Sequence, residues 1–176
     1  MSLTVLLGGA RAGKSAAALD LATRWKGAVV FVGTAEAGDE EMAGRIARHR
    51  AERPQEWSTV EEPLELAGTL NALDSQLVIV DCLTLWVANL LGRGDGADGI
   101  LEQAVAVAGA AAERPAPVIA VTNEVGLGIV PPTPLGRAYR DVLGGVNRVF
   151  VERAERAALV VAGRLLPLAR GLDASW

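Results

Sequence analysis

The segment Gly8-Gly9-Ala10-Arg11-Ala12-Gly13-Lys14-Ser15 matches the pattern G-x-x-x-x-G-K-[ST]. Its flanks constrain the fold more than the match itself. Residues 3–7, Leu-Thr-Val-Leu-Leu, are apolar and β-prone and read as a buried strand. Residues 15–25 are rich in Ala and Leu and read as a helix. A strand that enters a helix through a glycine loop belongs to an α/β fold. The glycines let successive backbone N–H groups turn toward one anion. The helix that starts near Gly13 directs its partial positive charge to the same point. Lys14 then meets the outer phosphates of a nucleotide as a point charge, and the Ser15 hydroxyl binds Mg²⁺. The plain alternative is a glycine-rich turn with a Ser that caps the helix.

The rest of the chain has room for one such domain, residues 1–176. Hydrophobic residues make up 51% and aromatics only 4%, so the core is aliphatic, as suits buried parallel strands between helices. A formal charge of −4 argues against a nucleic-acid partner. The single cysteine, Cys82, leaves no disulfide framework and no multi-cysteine metal site, and reads as a small buried residue. The first residues lack a signal-peptide pattern, and no apolar run is long enough to span a bilayer. The expectation is a soluble cytoplasmic protein without membrane insertion.

Residues 28–32 read as a second strand, ending in the small residues Gly33, Thr34 and Ala35. The C-terminal edge of an open α/β sheet is where ligands bind, although an ordinary turn explains the same residues. Residues 38–53 read as a helix with acids first and bases later, ended by Arg53-Pro54. Met42, Ile46 and His49 share one face of it. Glu41/Arg45 and Arg48/Glu52 have the spacing of surface ion pairs. His49 is the only histidine, and packing beside Met42 and Ile46 is its plain reading. Its sharper reading is a nucleophile or phosphate ligand. Arg45, Arg48, Arg50 and Arg53 can hold phosphate oxygens, and their charge favours the neutral, nucleophilic imidazole.

Further on, residues 57–62 read as a short strand closing on Glu61 and Glu62, which are either helix-start acids or ligand contacts. Residues 63–73 read as a helix opened by Pro63. Residues 76–81 form an aliphatic strand ending in Asp81, the form in which an Asp holds Mg²⁺ directly or through water, beside the phosphate-loop strand in the expected fold. An N-cap Asp is the alternative. Helices are expected over 84–91 and 100–113, with residues 92–99 as a surface loop. A strand over 118–122 leads to Asn123 and Glu124, which either face the ligand or serve the Gly/Pro turn that follows. A long helix over 134–156, a strand over 157–162 and a short hairpin strand over 165–168 complete the chain. No N-K-x-D is present, which argues against a GTPase switch.

Several stretches together resemble one family. Gly8–Ser15 is similar to its G-G-x-R-S-G-K-S loop, and His49-Arg50-Ala51-Glu52-Arg53-Pro54 after Arg45-Ile46 to its R-I-x-x-H-[RK]-x-x-R-P stretch. Residues 80–86, 122–131 and Gly144-Gly145-Val146-Asn147 resemble its later blocks. The family is the bifunctional adenosylcobinamide kinase/adenosylcobinamide-phosphate guanylyltransferase of cobalamin biosynthesis. The resemblance implies a RecA-like phosphate-loop fold with a mostly parallel sheet, a homotrimer, Mg²⁺, and GTP and ATP as substrates. It implies that adenosylcobinamide is phosphorylated and then receives GMP from GTP through a histidine. By match of motif, His49 carries the GMP, and Gly33, Thr34, Ala35, Arg50, Ala51, Glu52, Arg53, Glu61 and Asp81 join the loop in lining the guanine nucleotide site. Ala12 departs from the family's Ser at a position where the backbone matters most, and Arg48 stands where some relatives have a second histidine. A monofunctional phosphate-loop kinase, with His49 structural, and a nucleotide-driven switch or assembly ATPase are the competing readings.

Overall fold

The computed structural model describes residues 3–51, 53–73 and 75–171, without the side chains of Glu41 and Arg45. The expected pairs Glu41/Arg45 and Arg48/Glu52, and Glu52 as a nucleotide contact, therefore lie outside the described residues. The elements in order are β1 (Leu3–Gly8), α1 (Lys14–Thr23), β2 (Val29–Gly33), α2 (Glu40–Ala51), β3 (Ser58–Glu61), α3 (Leu66–Ala72) and β4 (Leu77–Asp81). They continue with α4 (Leu83–Arg93), α5 (Ala97–Glu113), β5 (Val118–Asn123), α6 (Pro134–Arg153), β6 (Arg156–Val161) and β7 (Arg164–Pro167).

All strands join one seven-stranded sheet in the order β3-β2-β4-β5-β1-β6-β7. Pairing is parallel throughout except for β7, which runs antiparallel to β6. The central strands are aliphatic along their whole length because both faces are covered. On one face, Leu3, Val5, Val78, Val80 and Ala120 pack with Leu66, Trp86, Ile100, Leu143 and Phe150 from the helices. On the other, Leu6, Phe31, Ile79, Ile119 and Val121 meet Ala18 and Ala22 of α1. Small alanines on α1 let it sit close to the strand it follows.

Two expectations need correction. First, β4 is not beside β1: β5 lies between them, paired with both. Second, residues 92–99 are not one loop. Helix α4 runs to Arg93, Gly94 takes the left-handed conformation at its C-cap with φ 97°, and α5 starts at Ala97. The glycines there do not extend the loop, because a tight corner is closed by side chains. Arg93 donates to both carboxylate oxygens of Asp95, and Gln103 from α5 donates to the same carboxylate. The Arg93 guanidinium is the main cause of the Asp95 carboxyl being lowered to about 2.

Candidate nucleotide and phosphate cleft

Adjacent parallel strands bring their ends to one edge of the sheet. In register, Gly33 pairs with Glu61 on one side and Asp81 on the other, and Gly8 with Asn123. Five sequence-distant strand ends thus arrive at one edge of the sheet, with Gly8 and Asn123 two residues beyond the level of Asp81.

The loop's shape has specific causes. Arg11 has φ 57° and Gly13 φ 99°, both in the left-handed region, and between them the Ala12 N–H donates to the Gly9 carbonyl at 3.3 Å. A Cβ on Gly8 would lie 2.4 Å from the Val160 carbonyl oxygen, so only glycine lets β1 leave the sheet here. Gly163, at the turn between β6 and β7, donates its N–H to the Ala12 carbonyl at 2.8 Å, and a Cβ on Gly13 would meet Gly163 Cα at 3.1 Å. The C-terminal hairpin therefore clasps the loop from outside. Ala12 enters this contact through its backbone carbonyl.

Lys14 is 7% exposed and folds back so that Nζ donates to the Gly9 carbonyl at 2.7 Å. Ser15 Oγ donates to Asp81 Oδ2 at 2.8 Å. The separation of β4 from β1 by one strand is what leaves room for this bond across the cleft. Residues 10–16 line an open cleft of about 500 Å³ together with Arg48, His49, Asp81, Cys82 and Asn123. The structure thus places His49 on the same cleft as the phosphate loop, a proximity that sequence separation left open.

Helix α2 carries His49 there. Among its described residues none is buried, so it rests on the sheet edge over space rather than over a core. Beneath it, Met42, Ile46 and His49 line a second cavity, with Phe31, Gly33, Ala35, Arg53, Glu61 and Asp81 opposite. The shared face expected from the spacing is the face that looks into the site. Arg53 packs its guanidinium 3.2 Å from the centroid of the Phe31 ring and donates to Thr59 Oγ1 at 3.2 Å. Arg50 faces Glu61 at 3.7 Å, with both side chains largely exposed. Ala51 lines the outer side of the helix with Arg50, Arg53 and Trp57.

Several residues divide where the sequence left two roles open. Glu62 accepts from the N–H groups of Leu64 and Glu65 and serves the turn before α3, whereas Glu61 keeps its carboxylate toward the cavity. Glu124 accepts from Gly126 N–H at 2.6 Å and belongs to the turn, whereas Asn123 lines the cleft. Thr34 is a correction: it is fully buried, donating to the Cys82 carbonyl and accepting from the Cys82 N–H, so its side chain fastens β2 to the end of β4. Cys82 is also corrected, from buried to half-buried at the cleft wall. Burial of the thiol, helped by the neighbouring Asp81 charge, pushes it up to about 11, so it is a protonated thiol at neutral pH.

Polar pins that the motif matches did not explain sit directly behind the site. Asn147 accepts from Thr122 Oγ1 at 2.7 Å and donates to the Asn123 carbonyl at 3.0 Å. Thr84 Oγ1 accepts from Asn123 N–H, and Asn89 donates to the carbonyls of Thr34 and Pro63. Thr84, Thr122 and Asn147 lie in stretches 80–86, 122–131 and 144–147 that resemble family blocks, whereas Asn89 carried no signal in sequence.

Fold and cleft place the chain in the class of phosphate-loop nucleotide-binding proteins with RecA-like topology. An ATPase of a bacterial type III secretion system aligns with a TM-score of 0.55 at 11% identity, over 90% of this chain and 50% of that one. The RadB recombinase aligns with a TM-score of 0.50 at 18% identity, over 90% of this chain and 73% of that one. Within the class the assignment is narrower. Residues 4–168 match the family "Cobinamide kinase / cobinamide phosphate guanyltransferase", and the chain belongs to that family. A bifunctional adenosylcobalamin biosynthesis protein CobP of Pseudomonas aeruginosa is 47% identical over 168 residues, covering 93% of this chain and 95% of the relative. A bifunctional adenosylcobalamin biosynthesis protein CobU of Escherichia coli is 37% identical over 92% of this chain and 96% of the relative. The chain is accordingly an enzyme, a transferase with kinase and guanyltransferase activities, and nucleotides are its phosphoryl and guanylyl donors. Among the described residues, no helix is long and apolar enough to cross a membrane.

Proposed function

We propose that one domain, residues 1–176, carries out both reactions in a single cleft. In the first, the hydroxyl of the aminopropanol arm of adenosylcobinamide attacks the γ-phosphorus of ATP or GTP. Lys14 and the loop amides hold the phosphates in line and neutralise the charge that moves onto the leaving diphosphate. In the second, an imidazole nitrogen of His49 attacks the α-phosphorus of GTP. The bond to the β-phosphate oxygen breaks, and pyrophosphate leaves. The phosphate of adenosylcobinamide phosphate then displaces His49 from the GMP, giving adenosylcobinamide-GDP and restoring free histidine.

A hydroxyl and a carboxylate held 2.8 Å apart beside the loop are hard oxygen donors of the kind Mg²⁺ takes when substrate phosphates supply the rest. Among the described residues no cluster of three or more His, Cys, Asp or Glu side chains competes for a metal. Ser15 and Asp81 would hold the ion, and when bound it supplies charge neutralisation on the phosphates. Gly33, Ala35, Arg50, Ala51, Arg53 and Glu61 would hold the guanosine part. Thr34 would shape that pocket from behind, and the match of Glu52 keeps it in the same group. A homotrimer working in the cytoplasm completes the proposal.

The observation that supports this reading best is that His49, from α2, lines the same cleft as Lys14 and Ser15. The experiment is incubation with GTP labelled at the α-phosphate. Wild type is expected to retain label in an acid-labile, alkali-stable bond and to release pyrophosphate. His49→Ala is expected to retain none while keeping much of its kinase activity, since alanine preserves the helix. Label persisting in the variant would place the acceptor elsewhere.

A further inference from the structure

Arg48 enters the cleft beside the reacting groups, yet its position in the motif gives it no role. It directly precedes His49 on α2 and lines the phosphate cleft with Lys14, Ser15 and Asp81. The nearby arginines are occupied: Arg50 on the helix faces Glu61, and Arg53 just beyond it is stacked on Phe31 and bonded to Thr59. Among the described residues Arg48 has no hydrogen-bond or ion-pair partner, although its side chain is exposed to the cleft. A solvated cation on a helix face is ordinary. One that shares an anion-binding cleft with a lysine and a nucleophile is not spread at random.

Resting on the guanylyl-transfer reading above, we propose that Arg48 binds the β- and γ-phosphates of GTP and stabilises the pyrophosphate as it leaves during attack by His49. When the N–P bond forms at the α-phosphorus, the bond from that phosphorus to the bridging oxygen breaks. Its electron pair goes to pyrophosphate, and the proton on the other imidazole nitrogen passes to water. Negative charge grows on the leaving oxygens, and a guanidinium offers them a planar fork of N–H donors. Arg48 and His49 travel on one helix, so the cation arrives with the nucleophile. Lys14, from α1, is common to both reactions; Arg48 belongs to the guanylyl step. In other phosphate-loop enzymes an arginine stabilising the transition state contributes about 10³- to 10⁵-fold to turnover.

The test is single-turnover labelling from α-labelled GTP by wild type, Arg48→Ala and Arg48→Lys. It is paired with the reverse reaction, in which inorganic pyrophosphate regenerates GTP from isolated guanylylated enzyme. Arg48→Ala is expected to label at least ~100-fold more slowly at saturating GTP, in line with the arginine contributions above. It should also show a KM for pyrophosphate raised at least ~10-fold, while transfer of GMP to the phosphorylated acceptor changes far less. Arg48→Lys should recover only part of the loss, because a point charge replaces a fork. A urea-unfolding midpoint of Arg48→Ala equal to wild type at constant m reports that the fold is intact. Labelling at the wild-type rate overturns the proposal. So does slow labelling with an unchanged pyrophosphate KM, which would make Arg48 a positioning residue for the helix. Absence of label in wild type overturns the guanylyl-transfer reading and this inference together.

Discussion

Asp81 shows how one side chain acquires a role from its neighbours. It ends β4 and receives the Ser15 hydroxyl at 2.8 Å, so the two groups proposed to hold the metal already stand side by side. Asp81→Asn keeps the size of the side chain and its capacity to accept that bond, but removes the charge. The expected outcome is a loss of about 10- to 100-fold in apparent Mg²⁺ affinity, the range seen when groups supporting a metal are changed, with nucleotide affinity less affected. Titrating Mg²⁺ against kinase turnover checks this. A Mg²⁺ requirement equal to wild type would reduce Asp81 to a strand-end cap. Cys82 beside it offers no competing nucleophile, since its thiol is pushed up to about 11.

Between elements, the support of the cleft comes from buried polar bonds. Asn147 on α6 is 4% exposed and ties two successive residues at the end of β5, Thr122 and Asn123. Removing its amide leaves a buried hydroxyl and a backbone carbonyl unpaired, at a cost of about 1–3 kcal/mol for each unsatisfied group. Asn147→Ala is therefore expected to lose at least ~2 kcal/mol of stability, read from the midpoint of urea unfolding at constant m. A change under about 0.5 kcal/mol, the scatter of ordinary surface substitutions, would mean the pair of bonds is replaceable. Helix α2 is the opposite case. It has no buried described residue and borders cavities on both sides, the setting of an element with low local stability.

Among the described residues, exposed apolar side chains group in two stretches. Leu127, Ile129, Val130 and Leu135 follow β5, with Ile129 97% exposed, and Val161, Leu165 and Leu166 lie on the β6–β7 hairpin. Apolar side chains grouped in this way mark contact surfaces more often than free solvent faces. For the proposed homotrimer, light scattering is expected to give three times the 18.3 kDa chain mass. The double change Leu127→Asp with Ile129→Asp should shift that mass downward if the loop is in the interface. A wild-type protein that runs as a monomer across the working concentration range would remove the trimer from the proposal.

Sequence alone determined what local chemistry can determine. The phosphate loop was legible because glycine, lysine and serine there answer to backbone geometry and charge. The strands were legible because burial on both faces demands aliphatic runs, and Asp81 and Glu61 stood out as acids closing such runs. Tertiary structure decided the rest. That β5 separates β4 from β1 depends on how crossovers pack, which no local window records. That His49 lines the same cleft as Lys14 depends on where α2 settles over the sheet edge. Glu61 and Glu62 are adjacent and chemically alike, yet a turn before α3 claims only Glu62. Thr34 reads as a cleft residue in sequence and is buried in the structure, because alternate residues at a strand end face opposite sides. The glycines of residues 92–99 suggested a loop, and an arginine–aspartate pair with a glutamine from the next helix closed it into a corner. For β5, His49 and Thr34 the deciding partner lies far away in sequence, whereas for Glu62 and the 92–99 corner it lies within a few turns of chain and is chosen by the local backbone path.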